Sequence, residues 1–380
     1  MLPDILRNYA FVQNGPVRST HLMSGQGQLT IVNLANGLVS EHIVPRPHDA
    51  LQIADLSRGP KWRRLLALFV GLFARQSGTA NTAVQLRDGR LFAVEEASRP
   101  YEITYNATTG EIGGKWQYRG ELSGVHVSPG DTLSYDLLRR QAPLKFNGKR
   151  VRWQPKTFPV VVHSYAEFNS WKAFPLMSTH VGNFEDWICG NRALPISHQE
   201  PLRWLMHNID DERAVIVDTG LCGDVFHVLA GHSESDDFNL YACHVDHFES
   251  FLETQDASAL GFQLCRHVID ARTMQLRSVD PVHGVQGDFP RVVDKDVFML
   301  HNIAARELVF FNHLVGCVVH RTPVARRNAM DIVYAHGFLL YCTRKSFVVQ
   351  DLEGNVVHEA AIPERHTNMH AELVSLDYFV

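Results

Sequence analysis

The sequence predicts an all-β sandwich, barrel or propeller, and at this length the propeller is favoured. Two observations predict it. Short runs rich in Val, Ile, Leu, Phe and Tyr recur along the chain, each closed by a turn containing Gly, Asn or Asp. No shift of composition across the 380 residues marks a linker, so the strands read as one domain over residues 1–380. No internal repeat is legible, and no low-complexity segment interrupts the pattern.

Taken in order, residues 29–34 and 38–44 are the first strand pair, joined through Ala35-Asn36-Gly37. Residues 83–86 and 91–95 flank Arg87-Asp88-Gly89-Arg90, where Asp-Gly supplies the positive φ of a tight hairpin. Tyr101–Tyr105 follows, and residues 106–114 are rich in turn formers. Residues 225–229 form an apolar strand inside Cys222-Gly-Asp-Val-Phe-His-Val-Leu-Ala-Gly. Near the far end come Phe338–Cys342, Ser346–Asp351 and Val356–Ala361, the last two broken by Gly354-Asn355.

One segment departs from the strand pattern. In residues 60–75, PKWRRLLALFVGLFAR, the side chains Trp62, Leu65, Leu66, Phe69, Leu72 and Phe73 fall on one helical face. Lys61, Arg63, Arg64 and Arg75 stand at its ends. Such a segment is either an amphipathic helix packed on the core or a helix lying in a membrane interface, too short to span it. Paired arginines beside an aromatic-rich face favour membrane contact.

Composition excludes several classes. A net charge of −5 and a pI near 6.5 argue against a nucleic-acid partner. The six cysteines are scattered without a Cys-x-x-Cys pair, which fits a reducing compartment. Asp4 and Arg7 interrupt the N-terminal apolar residues, so no signal peptide is read there. The expected location is cytoplasmic, with peripheral attachment to membrane. No Walker A loop, GxSxG or HExxH motif is present.

The unusual supply is histidine, with 21 residues. A histidine in an apolar strand is either a core imidazole bonded to a carbonyl or a neutral ligand for iron, zinc or copper. His227 sits in the middle of such a strand, and His126, His180 and His370 occupy similar settings far away in sequence. His244-x-x-His247 has a ligand-like spacing but no third ligand nearby.

Several stretches resemble the carotenoid cleavage oxygenase family, in the family's order. NYAFVQNGPV at residues 8–17 resembles its opening Arg-Asn-Gly-Pro segment, and residues 21–46 the strand pair after it. Asn81-Thr82 followed by GRLFAVEEASRPYEI is similar to an Asn-Thr, Glu and Pro-Tyr-Glu pattern. Residues 124–131 resemble the segment holding the first iron histidine, giving His126. MSTHVGNFEDWICGNRALP at residues 177–195 resembles the second and gives His180, with His163 in VVVHSYAEFNSW as the alternative ligand. Phe226-His227 matches the third, and IPERHTNMH gives His370 as the fourth. Gly287-Asp288-Phe289-Pro290-Arg291 resembles a Glu-Phe-Pro-Arg segment.

The resemblance implies a seven-bladed propeller with Fe(II) on its axis, held by His126, His180, His227 and His370. A propeller brings the inner strand of each blade to one axis, so distant histidines can converge. It implies O2-dependent cleavage of a conjugated C=C bond in a carotenoid or apocarotenoid, giving two carbonyl products. A retinoid-type isomerase on the same iron, or a non-catalytic membrane-associated propeller, are the alternatives. Iron-bound imidazoles hand their other N–H to an acceptor, and the family's glutamates correspond here to Glu96 and Asp288. The third has no counterpart around residues 333–337, where Asp331 is the nearest acid. In the animal retinoid branch an amphipathic insertion lies where residues 60–75 do, which implies peripheral membrane contact and a lipophilic polyene. Stilbene-cleaving members carry a lysine where this chain has Glu95, which points to an apolar polyene.

Overall fold

Successive strands pair antiparallel with their neighbours in sequence, because short turns join runs that can bury a face only by pairing. The computed structural model describes residues 2–16, 27–45, 82–87, 89–95, 101–116, 133–134, 145–146, 149–150, 160–161, 166–177, 201–208, 210–211, 213–222, 224–231, 237–246, 261–329, 331–364 and 370–379. Among these residues the chain is all-β, with single 3-10 turns at Asp4–Leu6 and Leu376–Tyr378. Residues 60–75, with the six side chains of the expected membrane face, lie outside the described residues.

The chain divides into two compact units: Met1–Lys149, Ile188–Gly190 and Ala325–Val380 in the first, Arg150–Trp187 and Asn191–Val324 in the second. In the first unit the last strand, Ala371–Ser375, pairs with Tyr9–Pro16, which continues to Gly27–Asn33 and Val39–Ile43. The two ends of the chain thus share one sheet. A second sheet runs Thr82–Arg87, Arg90–Glu95, Tyr101–Tyr105 and Ile112–Trp116. A third runs Val333–Ala335, Phe338–Cys342, Ser346–Asp351 and Val356–Ala361.

The turn chemistry matches the sequence. Gly89, in the Asp-Gly hairpin, has φ +72°, a conformation glycine takes without steric cost. The two faces of the N-terminal sheet pack differently. Ala10, Val12, Leu29 and Ile31 meet Leu91, Ala93 and Ile103 of the second sheet. Phe11 and Val32 meet Leu340, Phe347 and Val349 of the third, with the Phe11 and Phe347 rings 5.1 Å apart. Full burial of one such phenylalanine contributes about 2–3 kcal/mol.

The second unit repeats the pattern. A five-stranded sheet includes Trp171–Met177, Pro201–Asn208 and Ala214–Cys222. Next come Asp224–Gly231, Asp237–Asp246, Gly261–Asp270 and Gln275–Gln286, then Asp288–Asp294, Val297–Asn302, Glu307–Asn312 and Cys317–Pro323. With a ribbon of three two-residue strands from Leu133 to Arg150, the described residues hold seven sheets.

Candidate metal centre

In the first unit, His370 stands just before the last strand, Ala371–Ser375. Strand pairing fixes its backbone: the Asn14 N–H donates to the His370 carbonyl at 2.9 Å, and Gln13 lies opposite Ala371. His370 is buried, at 9% exposure. Its Nδ1 lies 4.0 Å from Asp331 Oδ2, an electrostatic approach rather than a hydrogen bond. The same carboxylate oxygen accepts the Ala371 N–H at 2.8 Å, which anchors it. A buried carboxylate beside one ring nitrogen favours a proton there and leaves the other nitrogen's lone pair for a metal. Asp331 is the acid that the sequence named only as the nearest to residues 333–337.

In the second unit, His227 lies in Asp224–Gly231. Its side chain is outside the described residues, but the backbone is informative. Pairing runs Asp224↔Val245 and Val225↔His244, then resumes at Val228↔Ala242. Phe226 and His227 together therefore face Cys243 alone, a β-bulge. A bulge bends the strand and re-aims a side chain that regular pairing would leave on one face. Val225 and Val228, on either side, are buried and hold the strand in the core.

Beside this strand lies Asp288–Asp294. Asp288 is 2% exposed and opposite His301. The pairing skips between Asp288 and Arg291, so this strand is bulged too, and Phe289 takes φ +49° there. That is a strained conformation for a phenylalanine, of the kind found where structure over-determines a site. Gly287 has φ +150°, and a Cβ on it would stand 2.9 Å from the His301 carbonyl carbon and oxygen. Only glycine lets the chain approach that closely and present Asp288 inward. Cys243, opposite the His227 bulge, is fully buried. Burial pushes its thiol well above its ordinary range, and the negative charge of Asp288 adds to the shift. Asp288 and the bulge carrying His227 thus bracket the same buried spot.

A further chain of rings braces this strand. Trp204 Nε1 donates to His267 Nδ1 at 3.2 Å, and His267 Nε2 lies 2.9 Å from His244 Nε2. The two imidazole planes differ by 3°, and their nitrogens are closer than the ~3.5 Å that stacked faces allow. The rings therefore meet edge to edge. Indole can only donate, so His267 carries its proton on Nε2 and gives it to His244. His244 in turn sits opposite Val225 of the His227 strand. The structure sets His244 against His267 of the neighbouring strand; His247, noted for its spacing, lies outside the described residues.

His126, His180, the alternative ligand His163, and Glu96 lie outside the described residues. Among the described residues no group of three or more His, Cys, Asp or Glu side chains gathers as a metal site. What the described residues offer is a buried histidine beside an anchored carboxylate in one unit, and in the other a buried carboxylate next to a bulged histidine strand. Both suit neutral imidazole ligands whose outer nitrogens need acceptors.

No protein-family model matches the chain. In sequence it is similar to the chloroplastic 9-cis-epoxycarotenoid dioxygenase NCED6 of Arabidopsis thaliana, 28% identical over 217 residues, 46% of this chain and 37% of that protein. The match therefore spans little more than a third of that relative's length. In structure it is similar to a point mutant of the Synechocystis apocarotenoid oxygenase, with TM-score 0.68, 13% identity, and coverage of 97% of this chain and 92% of the other. The Pseudomonas brassicacearum lignostilbene dioxygenase gives TM-score 0.66 at 16% identity and the same coverage, 97% and 92%. A cobalt-substituted Synechocystis apocarotenoid oxygenase gives TM-score 0.66 at 14% identity, again covering 97% and 92%.

Proposed function

We propose that this chain, which resembles the carotenoid cleavage oxygenases in sequence and shares their fold, is an Fe(II)-dependent dioxygenase that cleaves a conjugated C=C bond in a carotenoid or apocarotenoid. The observation that carries the reading is the pairing of buried His370 with Asp331, two residues about forty positions apart. A carboxylate fixed beside one nitrogen of a buried histidine is the kind of acceptor that a metal-binding imidazole uses for its other N–H. The names of the similar proteins, dioxygenases of carotenoids, apocarotenoids and lignostilbene, support the reaction class. A cobalt-substituted relative supports a metal at the corresponding centre.

In this reading His126, His180, His227 and His370 hold the ion in one seven-bladed domain over residues 1–380. The donor set fits iron(II): neutral imidazoles leave the ion its charge and open positions. When bound, the iron would supply the binding and activation of dioxygen. The chain's own residues do the rest. Asp331 holds the proton of His370 on the nitrogen that faces it. Asp288 and Glu96 accept N–H groups of other histidines. The bulges at Phe226–His227 and after Asp288 break the regular alternation of the two strands where these residues stand. Apolar walls exclude water and align one double bond. The face of Trp62, Leu65, Leu66, Phe69, Leu72 and Phe73 rests on a membrane and admits the polyene, which makes the protein a peripheral membrane enzyme of the cytoplasm.

The test is iron per chain in anaerobically purified protein. Near-stoichiometric iron in the wild type, lost in His126→Ala, His180→Ala, His227→Ala and His370→Ala and kept in His163→Ala, is the expected result. Folded wild-type protein that takes up no Fe(II) overturns the reading.

A further inference from the structure

Gln13 and Thr30, in the first unit, are both 0% exposed. Three of their polar atoms, Gln13 Nε2, Gln13 Oε1 and Thr30 Oγ1, have no hydrogen-bond partner among the described residues. These atoms are not scattered. Gln13 and Thr30 lie directly opposite each other where Tyr9–Pro16 pairs with Gly27–Asn33, and directly opposite residues share a face of the sheet. That face also carries Phe11 and Val32, which pack with Leu340, Phe347, Val349 and Ala371. An amide and a hydroxyl are therefore enclosed beside apolar side chains of two sheets.

Burying these groups without hydrogen bonds is strongly unfavourable, and native proteins rarely tolerate it. The chemistry of the missing partner can be read from them. Gln13 offers two N–H donors and a carbonyl acceptor; Thr30 offers a hydroxyl that does both. Neither is charged, and the described side chains packed with Phe11 and Val32, namely Leu340, Phe347, Val349 and Ala371, are apolar; the nearby Asp331 carboxylate already accepts the Ala371 N–H. Glu41, opposite Thr30 on its far side, is exposed to solvent. A partner that donates and accepts, is neutral and is small enough for a close-packed layer is water.

We propose that Gln13 and Thr30 form a buried hydration site holding ordered water between the N-terminal sheet and the sheet of Val333–Ala335 and its neighbours. The site lies under the backbone that carries His370. Gln13 is opposite Ala371, and the next residue, Asn14, holds the His370 carbonyl. The bound water completes the packing that docks the start of the last strand, whatever metal or substrate the protein takes.

Near-isosteric variants of the full chain test it: Gln13→Met and Thr30→Val, singly and together, followed by thermal unfolding. If water bridges the two groups, each single change strands it and lowers Tm by about 2–4 °C. The double variant then loses less than the sum of the singles, because both partners are gone. If the layer is dry, each change removes an orphaned polar group and raises Tm. A rise in either single variant, or a double equal to the sum, overturns the proposal. Crystals of the wild-type chain give a second readout that needs no variant. A density peak within hydrogen-bond distance of Gln13 and Thr30 supports the site, and continuous apolar packing without one overturns it.

Discussion

Acid should destabilise this protein through one histidine in particular. His267 is fully buried, and burial, reinforced by neighbouring His244, pushes its pKa down to about 3. In the unfolded chain the same group titrates near 6.5. The sign follows from proton uptake. Between those two values the unfolded chain binds a proton that the folded chain refuses, so stability falls as pH drops below 6.5 and levels off near 3. The loss attributable to His267 is about 2 kcal/mol at pH 5, tending to about 5 kcal/mol near pH 3. The geometry gives the same answer independently. The Trp204 N–H occupies Nδ1 and His244 accepts from Nε2, so neither imidazole can gain a proton without breaking the chain. The assay is urea unfolding from pH 7.5 to pH 4.5 on the wild type and on His267→Gln, which keeps an acceptor for Trp204 but does not titrate. The wild type should lose about 2 kcal/mol more than the variant on going from pH 7.5 to pH 5. Parallel stability curves for the two proteins would falsify the account of this site.

Three further outcomes follow, the first from the proposed iron site and the other two from the described residues. Asp331→Asn keeps the shape beside His370 but removes the charge, and should weaken iron binding by about tenfold or more, measured by competition with a chelator, while urea unfolding of the iron-free protein changes little. Gly287→Ala places a Cβ against the His301 backbone and should cost about 1–3 kcal/mol, read as a lower urea midpoint with unchanged slope. Peptide mapping after brief thiol labelling at pH 7.5 should find Cys317, which is exposed, modified and Cys243 and Cys342, which are buried, protected until the chain is unfolded; early labelling of Cys243 would show that the spot beside Asp288 is open to solvent.

The strands between Phe338 and Ala361 were legible to the residue, because each is a run of apolar side chains cut by turn formers. The hairpin around Asp88-Gly89 was legible within a residue for the same reason. The contact of His370 with Asp331 was not, since it depends on the last strand joining a sheet begun by the first, which no local pattern encodes. Asp331 could be named only as the nearest acid. Nor could the bulge at Phe226–His227 be read, because alternation along one strand presumes regular pairing with the next. The contact of His244 with His267 was not legible either, because it joins two neighbouring strands rather than two residues of one local motif. Gln13 reads as an ordinary polar residue of a strand, and only its burial opposite Thr30 gives it meaning.

The most direct test of the proposed reaction is to supply the iron-loaded protein with an apocarotenoid under isotopically heavy dioxygen and to analyse the products by rapid extraction and mass spectrometry. The expected products are two shorter carbonyl compounds, each carrying heavy oxygen from the gas. An intact polyene, or only a geometric isomer free of label, from protein that has taken up its iron would contradict it.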